Sequence, residues 1–207
     1  MGSAPKLLVF LHVAVKQRAF QGELQAALSG IDVTAVGRIA DFDRSLQDGP
    51  DAVLTLPVVL SARGLTTSLH GHCQGATNES YALVAADTIP DSARVQSVGA
   101  LDLLGREGTS SFVEQLLGAH PKVERVTKVE DLLPLLQMQR VDAILLPARL
   151  FPELRASSRL NLASKDLPKK VELPALAKLG AGGAQIMSAV SKLPSPLSIA
   201  IGVDEWR

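Results

Sequence analysis

The stretches DAVLTLP at residues 51–57 and DAILLP at residues 142–147 share one pattern: Asp-Ala, a short apolar run and then a proline. An apolar run of this length predicts a buried strand, and a proline directly after it suits the first turn of a helix. Each stretch follows an amphipathic helix that ends in a polar turn. Two similar α/β lobes would produce this repeat, and so would two strands of one ordinary sheet; we favour two lobes.

Strands and helices alternate outward from these two stretches. We predict strands at residues 7–15, 31–39, 81–86, 95–103 and 123–126, and helices at residues 18–28, 109–117, 129–139 and 183–193. The apolar residues 197–203 are predicted to be extended. The alternation predicts an α/β fold with mostly parallel sheets and right-handed crossovers. We expect lobe 1 to contain residues 1–86 and 159–207, and lobe 2 to contain residues 87–158.

The composition of the 207 residues argues against several kinds of partner. Lys plus Arg and Asp plus Glu both number 21, so the neutral chain offers no general attraction for nucleic acid, and none is expected as a partner. Aromatic residues make up 3%, too few for a site built on stacked rings. The only cysteine is Cys73, which excludes an intramolecular disulfide.

The expected location depends on whether a leader preceded the chain. No apolar run reaches the roughly 18 residues of a membrane span, and residues 7–15 lack the basic leader and cleavage site of a signal peptide. The opening Met-Gly-Ser resembles an expression scar, which is consistent with removal of a natural leader. We expect a periplasmic or envelope-associated protein if a leader was removed, and a cytoplasmic one otherwise.

Several stretches follow one another in a characteristic order. They are an Asp-Ala strand, a strand after a polar loop, a strand that runs into a Ser/Thr-rich turn, a second Asp-Ala strand, and a return strand with a C-terminal helix, at residues 51–57, 81–86, 98–111, 129–147 and 171–193. In this order the chain resembles the type 2 periplasmic-binding fold, specifically the phosphate/phosphonate-type solute-binding proteins of ABC transporters. The resemblance implies non-catalytic binding of a small anionic or polar ligand between two lobes, with a membrane transporter or another envelope protein as partner.

The chain departs from that family at the turns that would face a ligand. The turns around His12 and Thr55 are more apolar than an anion site requires. Phe112 follows Ser111 directly, where the family has a glycine–aromatic step. These departures keep a second function open, which is a protein-interaction module that has the solute-binding fold but no small ligand.

The most donor-rich stretch of the sequence is REGTSS at residues 106–111. We predict that a helix begins there, and a helix start has unpaired N–H groups and a partial positive charge that favour an anion. Its expected ligand contacts are Arg106, Gly108, Thr109, Ser110 and Ser111. The alternative interpretation is an ordinary helix cap made by Thr109 or Ser110.

Further candidate contacts come from strand ends, because ligands of open α/β sheets bind outside the carboxyl ends of strands. Arg149 follows the second Asp-Ala strand, Thr55 lies near the end of the first, and His12 lies where the first strand of the chain should end. The alternatives are a surface arginine and a histidine held within the core.

No sequence motif indicates catalysis or a cofactor. GAGG at residues 180–183 precedes a helix but lacks the Lys-Ser/Thr pair of a phosphate loop, so it is interpreted as a loop and helix start. His70, His72 and Cys73 provide at most three metal ligands and have no matching partner pair. We therefore predict a protein that is not an enzyme and that uses no cofactor and no metal.

Overall fold

The structure is a computed structural model that describes residues 3–13 and 16–207. The chain divides into two compact units. Unit 1 contains the described residues up to Asn78 together with Glu172–Arg207, and unit 2 is Glu79–Val171. The lobe boundaries expected at 86–87 and 158–159 differ from this division, because the strands on either side of them belong to the sheet of unit 2.

The elements follow in the order expected of an α/β chain. They are β1 (Lys6–Phe10), α1 (Gln17–Ala27), β2 (Asp32–Ala35), α2 (Ile39–Gln47), β3 (Ala52–Thr55), α3 (Pro57–Ala62), β4 (Leu69–His72), β5 (Asn78–Ala86), β6 (Ser97–Leu101), α4 (Gly105–Leu117), β7 (Lys122–Val126), α5 (Leu132–Gln137), β8 (Ala143–Pro147), α6 (Phe151–Ser157), β9 (Leu162–Glu172), β10 (Ala175–Lys178), α7 (Gly183–Val190), α8 (Ser195–Ile201) and β11 (Glu205–Trp206). Short 3₁₀ turns occupy Val129–Asp131 and Ala148–Leu150.

The sheet of unit 1 has the strand order β11-β4-β10-β3-β1-β2. Strand β1 is parallel to β2 and β3, whereas β10 is antiparallel to β3 and β4, and β11 is antiparallel to β4. The register pairs Leu7 with Ala52 and Phe10 with Thr55. The carboxyl ends of β1 and β3 therefore lie at one edge of this sheet.

The sheet of unit 2 has the order β7-β6-β8-β5-β9. Strand β6 is parallel to β7 and β8, and β5 is antiparallel to β8. The order around the parallel strands is the same in both units: the second strand, the first, the third and then an antiparallel strand. The two Asp-Ala stretches lead into β3 and β8, which hold equivalent places in separate sheets. The prediction of two similar α/β units is confirmed over the alternative of one sheet.

Within each unit, the apolar faces of helices are buried in the core. In unit 1, Phe20 and Leu24 lie one turn apart on α1 and are fully buried, as are Ile186 and Val190 on α7. In unit 2 the buried helical residues include Val113 on α4. Because a fully buried side chain of this size contributes about 1.5–3 kcal/mol relative to an exposed one, burial accounts for the position of these helices better than helix propensity does.

Some predicted elements differ from the structure. The prediction that residues 197–203 are extended is wrong, because they belong largely to α8, where Leu197 and Ile201 are buried one turn apart and Ile199 is exposed. The strand predicted at residues 7–15 ends at Phe10 in the structure, and residues 14 and 15 lie outside the described part of the chain. Among the described residues, there is no helix with the length and apolar character needed to cross a membrane.

Candidate functional site

The helix that carries most of the predicted ligand contacts begins earlier than expected. α4 starts at Gly105, and Asp102 caps it there. The Asp102 Oδ1 accepts hydrogen bonds from the N–H of Gly105 at 2.9 Å and from the hydroxyl of Thr109 at 3.0 Å. The Thr109 oxygen accepts the N–H of Leu104 at 3.1 Å. The prediction that the helix starts at Thr109 is therefore wrong, because Thr109 and Asp102 accept the N–H groups of Leu104 and Gly105 one turn earlier.

The predicted contacts Gly108, Thr109, Ser110 and Ser111 consequently lie inside α4. Helical geometry directs their backbone N–H groups to carbonyls one turn before, so they do not form an open anion-binding turn. Thr109 is fully buried, and the Ser110 hydroxyl donates to the carbonyl oxygen of Arg106 at 2.9 Å. The side chains of Arg106 and Ser111 are exposed. The sequence signal that we missed is Asp102 placed three residues before Gly105.

Asp102 also pairs with a positively charged residue, Arg125, at the carboxyl edge of the unit 2 sheet. Its Oδ2 forms an ion pair with Arg125 on β7, and both side chains are largely buried, at 13% and 29% exposed. The N–H of Asp102 donates to the carbonyl oxygen of Val126 at 2.8 Å, which fixes the turn after β6 against the end of β7. One internal carboxylate thus occupies the positive start of α4 and neutralises Arg125.

Arg149 lies where the sequence predicted, in the turn at the carboxyl end of β8. Its Nε is 3.0 Å from the Oε2 of Glu79, and the two side chains are 24% and 12% exposed. The contact is an ion pair whose N–H direction is not aligned for a strong hydrogen bond. The strand pairing explains the contact: Tyr81 on β5 pairs with Pro147 at the end of β8, so Glu79, two residues before Tyr81, lies next to the 3₁₀ turn that carries Arg149. Sequence reasoning missed Glu79 because only the antiparallel pairing of β5 with β8 brings it to Arg149.

Burial shapes the chemistry of this pair. It raises the pKa of Glu79, while the charge of Arg149 acts in the opposite direction. Tyr81 lies on the same face of β5 and is buried. Desolvation raises the pKa of Tyr81 most, and the negative charge of Glu79 raises it further. The Tyr81 ring meets Phe112 of α4 edge-on, with centroids 5.8 Å apart. The carboxyl edge of the unit 2 sheet therefore presents an ion pair beside an aromatic pair.

The predicted contacts in unit 1 lie at the carboxyl edge of its own sheet. His12 is half-buried, two residues beyond the end of β1, and its ring is edge-on to Phe10 with centroids 5.2 Å apart. Phe10 in turn packs against Phe42 of α2. Thr55 is fully buried, and its hydroxyl donates to the carbonyl oxygen of Phe10 at 2.7 Å. Thr55 thereby fixes the end of β3 to the end of β1.

The glycine-rich loop at residues 180–183 encloses a side chain of the protein itself. The Asp51 carboxylate accepts hydrogen bonds from the N–H of Gly182 and from the N–H of Lys6, both at 2.9 Å. These hydrogen bonds lower the pKa of Asp51, and the bond from Lys6 has the largest effect. A Cβ at Gly180 would lie 2.4 Å from Oδ1 of Asp51, so glycine is required for this approach. The loop and helix start predicted here are confirmed, and Asp51 holds the position that an external anion would need.

The remaining polar groups of the described residues were candidates for a metal site. No group of at least three His, Cys, Asp or Glu side chains is arranged there to hold a metal ion. Gly71, between His70 and His72, is required by packing, since a Cβ there would lie 2.5 Å from the carbonyl oxygen of Pro174. A cavity of about 160 Å³ lies at the amino ends of β1 and β2, and its lining includes Asp32, Thr34 and Asp48 but none of the predicted contacts.

Comparison with solved structures identifies the architecture. The chain is similar to the BvgS VFT2 domain of Bordetella pertussis, at 16% identity over 95% of this chain and 91% of that one, with a TM-score of 0.62. It is similar to the GluR0 ligand-binding core of Nostoc punctiforme in complex with L-glutamate, at 10% identity over 90% and 91% of the two chains, with a TM-score of 0.61. It is also similar to arginine-bound ArgBP of T. maritima, at 13% identity over 89% and 92%, with a TM-score of 0.57.

Neither a protein-family model nor a curated protein matches the sequence. At such low identities the likenesses establish the fold and nothing finer. The predicted fold class is confirmed: the chain has an α/β fold of the periplasmic-binding type, with two mixed sheets built around parallel strands.

Proposed function

We propose that this chain is a non-catalytic ligand-binding domain that takes a small polar or anionic ligand at the carboxyl edge of the unit 2 sheet. The observation that carries the proposal is Arg149, a guanidinium that keeps a quarter of its side-chain surface exposed at the end of the central strand β8. In open α/β sheets this edge is where ligands bind. Two of the neighbours named above, the GluR0 core and ArgBP, are in complex with glutamate and arginine, which supports a small polar ligand and a binding role.

In this proposal the predicted residues have different roles. Arg149 recognises the anionic group of the ligand, because a planar guanidinium matches a carboxylate or a phosphate oxygen pair. Arg106 and Ser111, exposed on α4, are further contacts in unit 2. His12 stays a candidate ligand contact at the carboxyl edge of the sheet of unit 1. Thr55 and Thr109 act indirectly, since their hydroxyls hold the strand end and the helix start in place.

The same proposal includes a location and a partner. The BvgS VFT2 domain is periplasmic, and another structural neighbour is the substrate-binding protein of an amino acid ABC transporter. We propose a periplasmic or envelope-associated domain that passes its ligand to a transporter or signals its presence to another envelope protein. Phosphate and phosphonates belong to the ligand range to be tested, together with amino acids.

A second candidate function is supported by how completely the internal charges are balanced. Asp102 caps α4 and pairs with Arg125, Asp51 fills the glycine loop, and Glu79 pairs with Arg149. A chain that satisfies its own donors in this way also suits a protein-interaction module with the same fold and no small ligand.

Thermal-shift screening followed by calorimetry distinguishes the two functions. The panel contains the common amino acids, phosphate, phosphonates, sulfate and small carboxylates, and a ligand raises the thermal midpoint by mass action. Arg149→Gln should weaken any binding at least tenfold. Arg140→Gln is the matched control, because Arg140 precedes the opposite, amino end of the same strand and is exposed. Absence of binding by the whole panel, or equal losses in both variants, would reject the ligand-binding proposal.

A further inference from the structure

Two ion pairs lie at the carboxyl edge of the unit 2 sheet. Glu79 faces Arg149, and Asp102 faces Arg125. β6, β7 and β8 are parallel, so both arginines and Asp102 lie towards the same edge, and the antiparallel β5 brings Glu79 to it from its amino end. The two pairs have no net charge.

Glu79 is the less accessible member of its pair. Its side chain is 12% exposed, whereas that of Arg149 is 24% exposed, and the buried Tyr81 lies beside it on β5. A ligand that draws Arg149 towards itself leaves a buried carboxylate with less compensation, which is unfavourable. A ligand that also offers a positive or donating group to Glu79 avoids that penalty. A ligand that matches both charges of the pair is therefore favoured over one that matches Arg149 alone.

We propose that Glu79 is a specificity-determining residue and that the site selects compact ligands of zero net charge, namely zwitterions of the amino-acid type, over phosphate-like anions. The ligand carboxylate lies at Arg149 and its ammonium group at Glu79. This inference rests on the proposed function, and it narrows the ligand range from anions in general to a class that satisfies both members of the pair.

Nearly isosteric ligand pairs test the selection on the unmodified protein. L-glutamine and L-glutamate differ by one unit of charge at nearly constant shape, as do L-asparagine and L-aspartate. Calorimetry of the full chain at pH 8 should show at least tenfold tighter binding of the neutral member of whichever pair binds, with inorganic phosphate weaker than either neutral ligand. Tighter binding of glutamate, aspartate or phosphate would overturn the selection while leaving the proposed function intact.

A variant pair tests the role of Glu79 itself. Glu79→Gln keeps the shape and removes the charge, so the preference for neutral over anionic ligand should fall by at least tenfold. Glu130→Gln is the matched control, because it makes the same chemical change at an exposed position of the same unit. Circular dichroism establishes that both variants are folded. An unchanged charge preference in folded Glu79→Gln would overturn the assignment, and so would an equal change in the control. If no ligand of the full panel binds, the proposed function fails and this inference fails with it.

Discussion

Asp51 and Asp142 make equivalent hydrogen bonds in two separate sheets. Each residue directly precedes the third parallel strand of its unit, and each carboxylate accepts the N–H of the residue next to it on the first strand. For Asp51 that donor is Lys6 at 2.9 Å, and for Asp142 it is Ser97 at 2.8 Å. Asp142 accepts two further hydrogen bonds, from the N–H of Gln96 and from the hydroxyl of Ser97. The aspartate of the repeated Asp-Ala pattern therefore forms a clamp, a set of hydrogen bonds that joins the start of the third parallel strand to the start of the first.

The clamp predicts a measurable loss of stability when it is removed from unit 2. Asp142→Ala should lower the free energy of unfolding by about 1 kcal/mol, because three donors lose a charged acceptor but remain accessible to water. Urea unfolding at pH 7 is the measurement. Asp131→Ala is a suitable control, since Asp131 is another exposed aspartate of the same unit. A loss no larger than that of the control would mean that the repeated aspartate is not structural.

The sequence predicted the alternation of elements well because periodic burial is a local property. The apolar runs that became β3 and β8 and the helix start at Pro57 could be identified without tertiary information. The C-terminal segment misled us, since Leu197–Ile201 spacing fits a helix face but the apolar run resembles a strand. Short apolar runs do not distinguish these states by themselves.

The candidate site could be predicted only in part. The sequence predicted that Arg149 lies at the end of a strand, and the structure places it in the turn after β8. Its partner Glu79 could not be found, because the pair depends on the antiparallel register of β5 with β8. The start of α4 was placed one turn late because the hydroxyl-rich residues 109–111 resemble a helix cap, whereas the aspartate that caps the helix lies earlier.

Thr109 should prove structural rather than ligand-binding. Thr109→Val removes a hydroxyl that bridges Asp102 and the N–H of Leu104 in a buried setting, so we expect a loss of about 1–3 kcal/mol of stability. Ser111→Ala, two residues further on the exposed side of the same helix, should change stability by less than about 0.5 kcal/mol. Urea unfolding of both variants gives the comparison. Equal losses would show that the buried cap contributes nothing specific.

A glycine-to-alanine substitution should have opposite effects on stability in the glycine-rich loop at residues 180–183 and on helix α1. Gly182→Ala places a Cβ 2.6 Å from the Cβ of Pro5 and 2.9 Å from the Cγ of Asp51, so it should destabilise the chain by about 1–3 kcal/mol. Gly22→Ala lies at an exposed position of helix α1, with no atom within 4 Å of the new Cβ, and should stabilise the chain by about 0.5–1 kcal/mol. Thermal midpoints measured in parallel should move in opposite directions. A neutral Gly182→Ala would show that the loop does not close tightly around Asp51.

The raised pKa of Glu79 predicts how stability depends on pH between about 5 and 8. This range lies above the pH at which the carboxylates with lowered pKa values titrate. Burial raises this pKa above 4.5, although Arg149 opposes the rise, so the folded chain holds the proton more tightly than the unfolded chain does. The stability linked to this proton is fully present below pH 4.5 and is lost as pH rises through the folded pKa. Lowering the pH from 8 towards 5 should therefore add stability through Glu79. Asp51 and Asp142 have lowered pKa values and lose their contributions only as pH falls below about 4.

Comparison with Glu79→Gln isolates this contribution, because the amide does not titrate and all histidines are common to both proteins. Urea unfolding at pH 8, 7, 6 and 5 should show that the wild-type protein gains stability relative to the variant as the pH falls. Glu130→Gln, which removes an exposed carboxylate, should follow the wild-type curve across the same range. Parallel curves for the wild-type protein and Glu79→Gln would mean that Arg149 compensates the buried charge fully, and burial would then not govern the titration of Glu79.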